Sequence, residues 1–365
     1  VNADKAAQAF HISEPTPENA GRSRASLDIK RLIAHCHGYK GADAKRGVIQ
    51  LSGAVFLFFS TIAIMLGAFY AHLYWACALL VLPAAGLLIR LFIIQHDCGH
   101  GSFFPSTRAN NITGRVLSIL TFTPYDLWKR AHNMHHASSG NLSRRTVGAI
   151  DTLTVKEYQA LSARERKSYR LFRNPFLLLL LAPPIYMIIL QRFPLLQSLP
   201  FLKDYRSIPP AQAWRSVVAT DAAILVFYGI AGACLGWLAM LAVVLPVVVV
   251  SCWIGGWLFF IQHQFEDAYW EQGENWSFAE AAVLGSSHYV LPPILMWFTG
   301  NIGLHHIHHL CAMIPNYRLQ ECFASDRELQ EINRMTLRQS LKCIRWALWD
   351  EEKSKMIGFR DLQVA

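Results

Sequence analysis

The 365-residue chain is 53 % hydrophobic and 16 % charged, with a formal net charge of +9, which is too apolar for an ordinary soluble domain of this size. The cations do not form a nucleic-acid stripe. They gather between the apolar tracts, as at Lys40, Lys45, Arg46 and from Arg164 to Arg173, which suits loops facing anionic headgroups. Residues 1–46 are polar, lack the apolar core of a signal peptide and end in a short predicted helix near Leu27 to His35. Val48 to Ile94 carries one formal charge, Arg90. At 1.5 Å per residue this tract is long enough to cross a hydrocarbon core of about 30 Å twice, so it reads as a hairpin turning near Gly67 to His72.

Residues 96–174 are polar, basic and rich in histidine. The next apolar run, Pro175 to Leu190, is short and interrupted by Pro183 and Pro184. It is flanked by Arg170 and Arg173 on one side and by Arg192, Lys203 and Arg206 on the other. Basic flanks on both sides place both ends in the cytoplasm, and the run reads as re-entrant or interfacial. Ser216 to Ile261, whose one charge is Asp221, reads as a second hairpin turning near Gly232 to Trp237. Two hairpins return the chain to its starting side. The fold expected is an all-α integral membrane protein: four transmembrane helices in two hairpins beneath a cytoplasmic, helical, histidine-rich cap. Residues 1–46 form a polar N-terminal segment, 47–317 the membrane domain and 318–365 a helical C-terminal cap of that domain. The eight cysteines contain no CxxC pair, so neither a disulfide framework nor a cysteine-based metal site is implied.

Fifteen histidines occur, and nine fall into groups with ligand spacing. His96 and His100 stand in HDCGH, His132, His135 and His136 in HNMHH, and His305, His308 and His309 in HHIHH, while His263 follows the fourth span. On a helix, positions i, i+3 and i+4 share a face, so each HxxHH group can aim two or three imidazoles at one centre. Imidazole suits iron, zinc, copper or nickel. Nine candidates exceed one tetrahedral zinc, and two metals fit better. Soluble di-iron bundles use Glu-x-x-His ligand pairs, a register missing from these boxes. Asp97, Glu266 and Asp267 are instead assigned to accept imidazole N–H bonds and fix tautomers. His306 breaks the HxxHH register and is read as a non-ligand, and His288 as a surface imidazole.

The segments HDCGHGSFF, KRAHNMHHASSGNL, WLFFIQHQFEDAYW and TGNIGLHHIHHLCAMIPNYRL resemble the membrane fatty-acid desaturase family, especially bacterial acyl-lipid desaturases of the delta-5 and omega-6 groups. Shorter similar stretches include DTLTVKEY, YRLFRNPF, ENWSFAEAA and ALWDEE. The resemblance implies two irons ligated by His96, His100, His132, His135, His136, His263, His305, His308 and His309. It further implies oxygen as co-substrate, a lipid acyl chain as substrate and a bacterial cytoplasmic-membrane location with the boxes facing the cytoplasm. The sequence carries no HPGG haem signature and no Rossmann or flavin fingerprint. Electrons are therefore expected from a separate ferredoxin- or flavodoxin-like protein. Trp128, Trp253, Trp257 and Trp297 are candidate walls of an acyl tunnel, and Arg90 a headgroup or carboxylate partner. A membrane di-iron hydroxylase or ketolase and a non-catalytic metal sensor are the competing readings.

Overall fold

Both apolar tracts fold as helical hairpins. The computed structural model describes residues 27–145, 150–194 and 208–362; the flank residues Lys203 and Arg206 and the first 26 residues lie outside them. Helix α1 (Ile29–His37) precedes the first hairpin, α2 (Ala44–Tyr70) and α3 (Tyr74–His100). Asp28 and Asp43 cap α1 and α2 by accepting from the amides of Arg31 and Arg46. The hairpin turns at His72, which takes a left-handed φ of 58°. The C-terminal half of α3 is buried from Ala84 to Gly99, because α2, α4 and α10 (below) all pack around it.

Helix α4 (Thr107–Thr121), capped by Ser106, runs back along α3, and Thr121 Oγ1 donates to Gln95 Oε1 at 2.6 Å. Gly114 is required here, since a Cβ would meet the Tyr125 ring at 2.1 Å. Tyr125 opens α5 (Tyr125–Ser138), whose inward stripe is Leu127, Ala131 and His135, four residues apart as helical pitch demands. A two-residue strand β1 (Leu153–Thr154) leads into α6 (Val155–Ala160) and α7 (Ala163–Phe172), each begun by a capping box.

The apolar run after α7 is a turn of π-helix, Phe176–Leu181, followed by α8 (Ala182–Ile188). The helix pair Ala163–Phe172 and Phe176–Arg192 bends by 49°. Arg173, before the run, donates to Gln264 and to the carbonyl of Trp346. Arg192, after it, pairs with Asp221 and donates to the carbonyl of Phe122. The second hairpin is α9 (Pro210–Leu235) and α10 (Trp237–His263), turning at Gly236. Asp221 stands near the middle of α9 and Gln264 just past α10, so Arg192 meets the second hairpin partway along a span and Arg173 meets it at its end.

Among the described residues, four helices are long and apolar enough to cross a membrane: α2, α3, α9 and α10. Each has 26 or 27 residues, about 40 Å of helix against about 30 Å of hydrocarbon. That excess is enough for the ends of α3 and α10 to reach beyond the apolar layer. Above them lie α11 (Phe278–Leu284), β2 (His288–Val290), α12 (Pro293–Phe298), α13 (His305–Leu310), α14 (Asn316–Ala324) and α15 (Arg327–Glu331). Next come β3 (Arg334–Thr336), α16 (Leu337–Ser340), a 3-10 turn Leu341–Arg345, β4 (Leu348–Asp350) and β5 (Lys355–Ile357).

The cap is thus not purely helical after Tyr317. Strand β2 pairs in parallel with β3, while β4 lies between β1 and β5. These strands are two or three residues long, too short for alternation to announce them. Helix α1 does not stand apart, because Leu32 and Cys36 are buried with Leu304, Ile307 and Cys322.

Candidate metal centre

The nine boxed histidines converge on one region in two groups. The first contains His96 and His100 from α3, His132 and His136 from α5, and His308 from α13. The second contains His135 from α5, His263 from α10, and His305 and His309 from α13. Within each group one ligand nitrogen per ring lies within 4.8 Å of all the others. The HxxHH boxes are therefore split rather than aimed at a single centre. In α5 the i, i+4 pair His132 and His136 serves the first group and His135 the second; in α13 the pair His305 and His309 serves the second and His308 the first. Neighbouring helical positions diverge by about 100°, so one helix can feed two centres. The rings of His136 and His309 stack at 4.0 Å where the groups meet.

Nε2 atoms face one another at 3.1 Å in His135–His263, His305–His263, His132–His136 and His308–His136. Burial drives the imidazoles of α5 and α13 well below their ordinary value of 6.5. The rings are neutral, with lone pairs available. A metal–imidazole bond of about 2.1 Å sets nitrogens about 3.0 Å apart at right angles and about 3.4 Å apart at the tetrahedral angle. The 3.1 Å spacings are compatible with imidazoles that share a metal ion. His100 Nε2 and His309 Nε2 are buried without a protein partner. These residues fit a pair of metal ions.

Partners outside the groups fix several rings. His96 Nδ1 lies 3.0 Å from Asp97 Oδ1, and Asp97 Oδ2 accepts from the backbone amide and side-chain nitrogen of Asn316. His263 Nδ1 donates to the carbonyl of Gly285 at 2.9 Å. A Cβ at Gly285 would lie 2.5 Å from the Ala281 carbonyl, so this turn needs glycine. Asn333, at a left-handed φ of 45°, brackets Gly285 by donating to the carbonyls of Val283, Leu284 and Ser286. Trp128 stacks on His132 at 4.7 Å.

Several expectations are corrected. Glu266 and Asp267 are exposed because the chain leaves the metal region as soon as α10 ends. The Glu266 carboxylate lies near Lys355 and its carbonyl accepts from Met356. His288 is buried, not at the surface, because its ring packs 4.7 Å from that of Phe323 and 5.5 Å from that of His306. His306 turns away from both groups to the carbonyl of Leu329. Among the described residues Arg90 pairs with no carboxylate, and it instead donates to the carbonyl of Trp297 and lies 4.2 Å over its ring.

Of the proposed tunnel walls, Trp128 packs on the histidines, whereas Trp253 donates to Leu180 and Trp257 to Tyr289. An apolar groove of about 280 Å³ opens between α8, α9 and α10, lined by Phe122, Ile188, Tyr228, Trp237, Val244 and Val248 among others. None of the four tryptophans lines it. Asn316 and Asn333 escaped the sequence reading, since their partners are distant in the chain and no motif marks them.

Residues 71–340 match the family model for fatty acid desaturase. The chain is 39 % identical over 342 residues to a fatty acid desaturase of Bacillus subtilis (strain 168), covering 92 % of each chain. It is 28 % identical over 274 residues to the sn-1 acyl-lipid omega-3 desaturase (ferredoxin) of Synechocystis, covering 73 % of this chain and 70 % of the relative. To the sn-1 oleoyl-lipid 12-desaturase of the same organism it is 26 % identical over 318 residues, covering 86 % and 85 %.

Proposed function

Because the chain belongs to the fatty acid desaturase family and is an oxidoreductase of that kind, we propose that it places a cis double bond in the acyl chain of a membrane lipid, using two irons, oxygen and an external electron donor. The observation that carries this reading is the convergence of nine imidazoles as groups of five and four at the ends of two membrane-spanning helices. A methylene has no acidic proton and no leaving group, so side chains alone cannot oxidise it. Iron with oxygen supplies the oxidising power: two hydrogens leave the lipid and, with two electrons and two protons from outside, reduce one oxygen molecule to two waters.

The chain's own groups hold and shield that chemistry. His96, His100, His132, His136 and His308 are assigned to one iron, and His135, His263, His305 and His309 to the other. Asp97 holds the proton of His96 on Nδ1 and the Gly285 carbonyl holds that of His263, leaving each Nε2 free for metal. Trp128 covers His132 and keeps water from that side. A small cavity of about 20 Å³, bordered by His135, His263, Asn141 and Trp270, has room for a single water beside the second group.

The names of the Synechocystis relatives support an acyl-lipid substrate and, in one case, ferredoxin as donor. A ferredoxin- or flavodoxin-like protein is acidic enough to suit the basic loops. The basic loops support a location of the histidines on the cytoplasmic side of a bacterial cytoplasmic membrane. Expression in a host lacking desaturases, followed by mass spectrometry of its lipids and iron analysis of the purified protein, tests the reading. An olefin and two irons per chain are expected. Hydroxylated or unchanged lipid would overturn it.

A further inference from the structure

Residues 337–345 lie well past the last span, yet present an apolar face to the outside. Ser340 and Cys343 are buried, while Leu337, Leu341 and Ile344 are 43, 63 and 41 % exposed. Arg338, Lys342 and Arg345 are exposed as well. Positions 337, 341 and 344 are spaced i, i+4, i+7, and so are 338, 342 and 345. At helical pitch each set forms a stripe. The segment, α16 followed by a 3-10 turn, therefore has one face on the protein, one apolar face and one cationic face.

Its depth is set by contacts with the spans. Ser340 Oγ lies 3.1 Å from Tyr289 Oη, which accepts from Trp257 Nε1 at 3.4 Å. Trp257 precedes His263 by six residues, about 9 Å along α10. Cys343 and Met335 share a buried cluster with Ile89 and Ile93 of α3 and Leu258 of α10. As each span exceeds the hydrocarbon by about 10 Å, these contacts hold the segment at the boundary between acyl chains and headgroups. Helix α12 reaches a similar level: Arg90 of α3 holds Trp297, which is 39 % exposed beside Ile294 at 61 %.

We propose that residues 337–345 form an in-plane anchor on the cytoplasmic leaflet, with Leu337, Leu341 and Ile344 seated at the acyl boundary and Arg338, Lys342 and Arg345 on the phosphates of anionic lipids. Helices with this division of faces bind membrane surfaces by apolar burial plus attraction to anionic lipid. The inference rests on the four-span, cytoplasmic-cap reading and is independent of the iron assignment. A failure of one leaves the other standing.

The test uses the full chain in lipid nanodiscs. Cys77 and Cys234 are replaced by serine, leaving the buried thiols, and Leu341→Cys or Arg338→Cys carries an environment-sensitive fluorophore. In discs containing phosphatidylglycerol, the label at position 341 is expected to emit to the blue and to be quenched more by nitroxide lipids than by aqueous iodide. The label at 338 is expected to show the reverse order. In a variant that combines Arg338→Glu and Lys342→Glu with the label at 341, lipid quenching is expected to fall in phosphatidylglycerol discs but not in phosphatidylcholine discs. In monodisperse protein, iodide quenching at both positions overturns the proposal. Protection of position 341 from both quenchers, with cross-linking between two copies, also overturns it by assigning the face to a dimer.

Discussion

Replacing Asn333 should weaken one metal and spare the other. Its amide nitrogen lies 2.9, 3.1 and 2.9 Å from the carbonyls of Val283, Leu284 and Ser286, which flank the Gly285 carbonyl that holds His263. In Asn333→Gly the left-handed backbone is retained and only the amide is lost. Net hydrogen-bond contributions of about 0.5–1.5 kcal/mol each, with one amide shared among three carbonyls, give a cost of about 1–3 kcal/mol. Asn333→Ala adds left-handed strain of about 1–2 kcal/mol. Loss of a partner that orients a metal ligand typically lowers metal affinity about 10–100-fold. This effect should fall on the group of His135, His263, His305 and His309. Iron per chain during graded chelation, followed by Mössbauer spectroscopy, should show one of two iron signals lost early in both variants. If Asn333→Gly keeps both irons with the chelator resistance of the unaltered protein, the turn is only structural and the positioning argument fails.

His263→Ala should lower iron content and abolish desaturation while the protein still inserts in membranes, whereas His306→Ala and His288→Ala should keep two irons. Iron and olefin measured side by side decide this, and full iron with normal turnover in His263→Ala would contradict the ligand assignment. His135→Ala should likewise lose activity; a fully active variant would remove His135 from the mechanism. The neutral, buried imidazoles of α5 and α13 have folded values below the ordinary 6.5, so below pH 6.5 the unfolded chain binds more protons and stability falls with falling pH. The thermal midpoint of metal-free protein should be level above that pH and drop beneath it, and a midpoint that rises on acidification would be at odds with neutral burial. Cysteines placed at Leu171 and Phe193, both exposed, should label from the same side of the membrane, because basic residues flank the run between them at both ends; labelling from opposite sides would require a fifth crossing.

The spans and the boxed histidines were legible because each depends on local pattern. A tract with one charge in two membrane widths has few other destinations, and i, i+3, i+4 spacing shows directly in the chain. The division of each box between two groups was less visible, since spacing states which rings share a face but not where the opposing helices stand. Glu266 and Asp267 misled because closeness to His263 in sequence was taken for closeness in space, although the helix ends there and the chain turns outward. Asn316 reaches Asp97 across 219 residues, and Asn333 reaches the Gly285 turn from the far side of α13; such contacts leave no periodic trace. His288 owes its burial to the rings of His306 and Phe323, which come from later segments that no local pattern around His288 could announce.

The split boxes explain why histidine alone can build this centre. Each group draws on three separate helices: α3, α5 and α13 for the first, and α5, α10 and α13 for the second. Helices α5 and α13 contribute to both, so neither group can be completed without fixing elements that the other also uses. Two metals would then cross-link the ends of both hairpins to the cap, and their binding free energy would be folding free energy for this region. Beneath the two groups, Ile89, Ile93, Leu258 and Ile261 are buried together. The membrane-spanning helices thus supply the rigidity, and the short helices of the cap supply the geometry.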